Sequence, residues 1–351
     1  MKVADTVHIP AKLVGIGCVA VTSIGWGLNW PATKMLLHVC PPLMARGIAG
    51  IVAGMALAGL ALARGETLIA PRAEWWRLVR SASLNVTAWM GLTTLSLVWL
   101  NAGEAATIAY TMPVWAALLA WPVLGERLAL RKRLSLVLGI GGVVILLGGH
   151  GFIRDPAHLP GVAIALAAAM AFALGTVLSK RWPLNMAPVS MTAWQVGLGC
   201  IPLLAASLLL ETTHLREMPW FGWAALLYTA AVSLSTCYIA WFAALRRVEA
   251  GTAAIGTLLT PIVGVVASAV VLAEPLLLPQ ISALVLVIAG VVLAVRDSTA
   301  KSPRGDTEHA VRRHSKRQAR LRWLAAVCPS KTPGLPEGRY ELNQIGRRDP
   351  G

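Results

Sequence analysis

The sequence predicts an all-α integral membrane protein of ten transmembrane helices, arranged as two inverted five-helix repeats. Composition is the first reason: of 351 residues, 56% are hydrophobic and only 13% charged, with a mean hydropathy of +0.66, far from the balance of a soluble globular chain. Second, apolar runs of roughly 20 residues, the length a bilayer core about 30 Å thick requires, recur along the chain. Third, residues 102–144 return as residues 250–292 at one constant offset without a gap. Ala102, Gly103, Ala105, Ala106, Pro113, Glu126, Gly142, Val143 and Val144 reappear as Ala250, Gly251, Ala253, Ala254, Pro261, Glu274, Gly290, Val291 and Val292. A duplicated group of apolar helices is an architecture common among small-molecule carriers.

In chain order the spans fall at 13–33, 41–63, 78–100, 102–124, 134–152, 160–180, 188–210, 222–244, 251–273 and 278–296. Residues 1–12 are then a cytoplasmic N-terminus, 13–152 the first repeat, 160–296 the second, and 297–351 a basic, disordered cytoplasmic tail. The stretch Leu13 to Leu37 is longer than a signal-peptide core and is followed by many similar stretches, so it is the first span. Asn101 to Glu104 is the only polar break between the third and fourth spans. The first and sixth spans align as Trp26–Lys34 with Phe172–Lys180, and Arg46 of the second span falls near Gln195 of the seventh.

Charge sets the orientation. With the N-terminus inside, the interior side collects Lys2, Lys12, Arg64, Arg72, Arg77, Arg80, Arg127, Arg131, Lys132, Arg133, Lys180, Arg181, Arg246 and Arg247, while the exterior keeps Lys34, Arg46, Arg154 and Arg216. The positive-inside rule places both termini in the cytoplasm. An odd number of spans per repeat forces the second repeat to enter the other way up. The charges agree: Arg131, Lys132 and Arg133 precede the fifth span, but Pro279, Gln280 and Ile281 stand at the matching positions before the tenth. The net charge of +15 lies in loops and tail between apolar spans, which argues against nucleic acid as a partner.

The run Trp26-Gly27-Leu28-Asn29-Trp30-Pro31-Ala32-Thr33-Lys34, the duplicated Ala-Gly-x-Ala-Ala stretches with a following proline, the helix ends Leu124-Gly125-Glu126-Arg127 and Leu272-Ala273-Glu274-Pro275, and the Gly-Val-Val endings resemble the EamA family of the drug/metabolite transporter superfamily. The resemblance covers residues 13–296. It implies a multi-pass, ten-helix carrier of two inverted EamA-like repeats, usually bacterial and in the cell inner membrane (plasma membrane), often exporting amino acids or other small metabolites. Pro275 in place of an arginine, and the long basic extension after residue 296, depart from that pattern.

Pro113 and Pro261 stand near the middle of the fourth and ninth spans, where proline removes a backbone donor and clashes with the preceding turn. Symmetric interruptions of this kind point to a binding region at mid-membrane; a kink that only assists packing is the competing reading. Polar groups inside lipid are costly and tend to face the bundle interior. On that basis the pathway residues are Trp26, Asn29, Arg46, Asn85, Trp89, Tyr110, Pro113, Trp194, Gln195, Thr236, Tyr238, Trp241, Thr257 and Pro261. Arg46, a few residues inside the second span, either holds a substrate carboxylate or phosphate or snorkels to the surface. Glu104 is a candidate coupling carboxylate, with a solvated loop residue as the alternative. Glu126 and Glu274 precede helices and read as structural helix ends, serving free amides at the N-terminus of the next helix.

The cysteines Cys18, Cys40, Cys200, Cys237 and Cys328 show no metal or disulfide spacing, the histidines match no metal motif, and no phosphate-binding loop occurs. No metal site and no cofactor is expected. The partners are a small-molecule substrate and membrane lipid, with a homodimer left open. A polytopic membrane enzyme or a non-transporting sensor is the alternative class, and it calls for clustered His, Asp or Ser residues at one membrane face.

Overall fold

The computed structural model describes residues 11–125, 130–149, 156–212, 217–248 and 256–300, and these contain helix and no strand. A helix stands at each predicted position: α1 (Ala11–Leu37), α2 (Pro42–Ala63), α3 (75–96), α4 (Ala102–Leu124), α5 (Leu130–Gly149), α6 (Leu159–Arg181), α7 (Pro188–Leu210), α8 (Trp220–Leu245), α9 (Leu259–Val271) and α10 (Leu278–Ala300). Among the described residues, α1, α2, α4, α6, α7 and α8 are long and apolar enough to cross a membrane. Shorter apolar stretches occupy α5, α9 and α10. Glu126, Ala250, Gly251 and the tail beyond residue 300 lie outside the described residues.

Packing follows the duplication. If α1–α5 correspond to α6–α10, the contact of α1 with α9 should recur as α6 with α4, and α1 with α8 as α6 with α3; both pairs of contacts are present. Two helix pairs map onto themselves, α2 with α7 and α5 with α10, and these form the largest seams. Both run antiparallel. A Cβ added at Gly47 would lie 2.8 Å from the Cα of Leu204, and one at Gly54 would lie 3.0 Å from that of Gly197. In the second seam, Gly142 abuts Ala283 and Val287, while Gly290 abuts Ser135 and Gly139. A self-paired, antiparallel seam is what an inverted repeat requires. Small residues permit the approach, as expected where lipid supplies no hydrophobic drive between helices.

The helices are regular only in part. α4 breaks at Tyr110–Thr111 into Ala102–Ala109 and Met112–Leu124, because Pro113 carries no N–H and cannot bond back to the preceding turn. The Thr111 hydroxyl donates to the Ile108 carbonyl at 2.6 Å. α9 has the matching turn at Thr257–Leu258, just before Pro261, although Thr260 makes no such bond to its own helix. A second symmetric irregularity has no counterpart in the sequence reading: α3 widens to π-helix over Ser83–Ala88 and α8 over Tyr228–Thr236. Hydroxyls of Ser235 and Thr236 donate five residues back, to Ala230 and Ala231. Such turns occur often at functional sites.

The repeats also exchange helix caps. Carboxylate oxygens of Glu211, after α7, accept the Leu43 and Met44 amides at the start of α2, both at 3.0 Å. At the matching place Glu66, after α2, accepts the Ser190 amide at the start of α7 at 2.9 Å. Glu274, after α9, accepts the Ala102 and Gly103 amides of α4 at 2.8 and 3.1 Å. The helix that Glu274 serves belongs to the other repeat and is not the one that follows it. The chain turns to reach α4 through Ala273, whose φ is +53°. Its counterpart in the first repeat is Gly125, at φ +69°, where the lack of a Cβ makes that conformation free of strain. Replacing Ala273 by glycine is therefore expected to raise stability by about 1 kcal/mol, seen as a higher Tm of the detergent-solubilised protein; an unchanged or lower Tm would show that the alanine is unstrained.

Candidate functional site

A cavity of about 390 Å³ lies within the bundle. Both repeats build it: Trp26, Asn29 and Trp30 from α1, Arg46 from α2, Trp89, Met90 and Thr93 from α3, and Tyr110, Met112 and Pro113 from α4. The second repeat adds Phe172 from α6, Ser233, Leu234, Tyr238 and Trp241 from α8, Thr257, Leu258 and Pro261 at the broken start of α9, and Val287, Ile288 and Val291 from α10. The breaks in α4 and α9 thus lie on the cavity wall. Its volume is at the small end of the range of about 300–1,000 Å³ usual for small-molecule sites.

Seven of the lining residues are aromatic, and their rings hold one another. Trp26 meets Tyr238 edge-on with centroids 5.5 Å apart and Trp241 at 6.1 Å; Trp89 lies 4.7 Å from Phe172 and Trp30 lies 6.4 Å from Tyr110. The indole N–H of Trp26 donates to the Ser233 carbonyl at 3.0 Å, inside the π-helical stretch of α8. Ser233 and Leu234, inside that stretch, and Tyr238 and Trp241, beyond it, face the cavity together.

Arg46 does not snorkel. It is 6% exposed, and its Nε donates to the Thr94 hydroxyl at 2.6 Å while one terminal nitrogen donates to the Thr33 hydroxyl at 3.1 Å. Those bonds fix the guanidinium plane at the cavity wall. No carboxylate pairs with it; among the described residues the one ion pair within 4.0 Å is Arg77 with Glu74.

Four predicted pathway residues lie elsewhere. Asn85 packs against Gly175 of α6 and donates to the Ser81 hydroxyl at 3.1 Å. Trp194 sits near the start of α7, where its N–H donates to the Leu68 carbonyl at 2.7 Å and its ring meets Trp75 edge-on at 5.3 Å. Gln195 is half-buried on the same helix, which contributes nothing to the wall because its inward face is taken up by α2. Thr236 is exposed and bonded to its own helix, two residues and most of a half-turn from Tyr238. Conversely, Trp30, Thr93 and Leu234 line the cavity unpredicted, though each stands four residues from a predicted neighbour (Trp26, Trp89 and Tyr238), one helical turn along the same face.

Glu104 is neither solvated nor in the cavity wall. It is 3% exposed and its carboxylate accepts the Asn101 amide at 3.1 Å, half of a capping box at the start of α4. Close by, Lys34 at the end of α1 donates its ammonium to the carbonyls of Leu97 and Leu100, closing the end of α3. Trp76 and Trp220 are largely exposed at helix ends.

An apolar helical bundle with inverted halves, helices interrupted at a central cavity and aromatic walls is the build of a multi-pass membrane transporter. The chain belongs to the EamA-like transporter family, whose pattern matches twice, over residues 13–148 and 159–296. Among its relatives, the uncharacterized transporter YvbV of Bacillus subtilis is 31% identical over 79% of this chain and 90% of its own length. A probable amino-acid metabolite efflux pump of Salmonella typhimurium is 29% identical over 77% of this chain and 91% of its own. A crystal structure at 20% identity superposes with a TM-score of 0.59, covering 81% of this chain and 96% of that one, which shows a common fold.

Proposed function

We propose that the protein is a secondary carrier whose ten helices all cross the membrane, and that it exports a small metabolite, such as an amino acid, by alternating access of its two inverted repeats. The single observation that carries this reading is the central cavity: both repeats build it, and α4 and α9 break at its wall. Breaks in equivalent helices free backbone groups for a solute and lower the resistance of those helices to bending. The tight seams of α2 with α7 and α5 with α10 suit rigid bodies that rock about the pseudo-axis. The loop charges support cytoplasmic termini, and the likeness to bacterial transporters supports an inner-membrane location. The likeness to an amino-acid metabolite efflux pump favours export.

A comparison of metabolites released by cells with and without the protein tests the export reading, and vesicles holding the purified chain test the carrier itself. Solute movement without chemical conversion is expected; product formation without movement would establish the enzyme alternative. At matched expression, Arg46→Ala is expected to reduce transport of a carboxylated substrate more than Glu126→Ala does. Equal losses would remove Arg46 from the site.

A further inference from the structure

We infer that the solute this cavity is built for is a monovalent organic anion, a carboxylate on an apolar or aromatic body, in preference to a zwitterion. The inference rests on the carrier reading and narrows its substrate class. Arg46 is the only charged residue among those that line the cavity. It is buried, yet both of its hydrogen-bond partners, Thr94 and Thr33, are neutral hydroxyls. One terminal guanidinium nitrogen, Nη1, has no protein partner among the described residues, and the group cannot shed its proton. A buried charge within an apolar bundle that lacks a counter-ion marks a site to which the counter-ion comes from outside. A carboxylate meets that need with charge-assisted bonds.

An α-ammonium has no equivalent partner. No carboxylate is among the residues that line the cavity, and Glu274, Glu211 and Glu104 accept backbone amides at helix starts: Ala102 and Gly103, Leu43 and Met44, and Asn101. The remaining polar groups on the wall are neutral, such as Asn29 and Ser233, so the cavity carries a formal charge of one positive unit. A solute of charge −1 neutralises it, whereas an amino acid leaves its ammonium beside the rings and the net charge unchanged. The driving force follows from the same charge: a membrane potential of 100 mV, negative inside, sustains roughly a 50-fold outward gradient of a monovalent anion. Export then requires no proton-coupling carboxylate, and none lines the wall.

The test uses the purified full-length chain in vesicles with potassium gradients and valinomycin to set the potential. The probes are phenylpyruvate and phenylalanine, which share carbon skeleton and carboxylate and differ by a keto group in place of the ammonium. Protein-dependent phenylpyruvate flux is expected to run toward the positive side, to reverse when the potential is reversed, and to exceed phenylalanine flux at least ten-fold. Arg46→Gln should lose the phenylpyruvate flux, and Arg46→Lys should retain a measurable part of it. The comparison of the two probes on the unmodified protein stands even if the variants misfold. Phenylalanine carried as fast as phenylpyruvate, or phenylpyruvate flux indifferent to the sign of the potential, would overturn the anion inference and leave the carrier intact. If no solute of the pair or of the metabolite comparison moves, the carrier reading falls and takes the inference with it.

Discussion

Replacing Gly47 by valine is expected to leave little folded protein. A Cβ at that position would stand 2.8 Å from the Cα and 2.9 Å from the backbone nitrogen of Leu204. Backbone cannot rotate out of the way as a side chain can, so α2 and α7 would have to separate along their shared seam. Overpacking that side chains can absorb costs about 1–3 kcal/mol; here a helix pair on the pseudo-axis must move, and the cost is expected at or above the top of that range. Gly59→Val is the matched control on the same helix, since a Cβ there meets nothing within 4 Å. Expression yield and Tm in detergent should collapse for the first variant and stay near the parent for the second. Similar Tm values for both would mean that the seam is looser than the geometry requires.

Glu274→Ala is expected to be the most damaging change of a single polar side chain. Its two oxygens satisfy the Ala102 and Gly103 amides, and both residues are fully buried. Hydrogen bonds to a charged group contribute about 1.5–3 kcal/mol each when the alternative is a buried, unpaired amide. Glu274 itself is only partly buried, so a total near about 3 kcal/mol is expected, below the simple sum. Glu274→Gln keeps one acceptor oxygen and should recover about half of the loss. Tm of the three proteins checks the order, and hydrogen exchange at residues 102–106 locates the effect; protection there equal to the parent's would mean that the cap contributes nothing.

The duplication could be read from letters at one offset, and its inversion from the loss of Arg131, Lys132 and Arg133 at the matching positions. Those signals survive because each is a property of residues along the line of the chain. Facing is not such a property. Thr236 and Tyr238 are both polar residues inside α8, and only the direction each takes around the packed helix decides that Tyr238 reaches the cavity and Thr236 does not. The π-turns themselves carry no residue signature, since Ser83–Ala88 reads as ordinary helix. Glu104 looked solvated because it stands two residues past a helix start, where the capping box in fact folds its carboxylate back onto Asn101. Glu274 was legible as a helix-end carboxylate but not its recipient, which lies 172 residues away.

The crossed caps set an order on biosynthesis. The amides that open α2 wait for Glu211, 168 residues later, and those that open α4 wait for Glu274. At about 5–20 residues per second the ribosome takes roughly 10–30 s to bridge such a gap. Throughout that interval the amides that open α2 and α4 lack the carboxylates that seal them in the finished fold. The last helices emerge as the fasteners of the first. A chain truncated after the first repeat would therefore remain a permanently immature insertion intermediate, a natural target for membrane quality control.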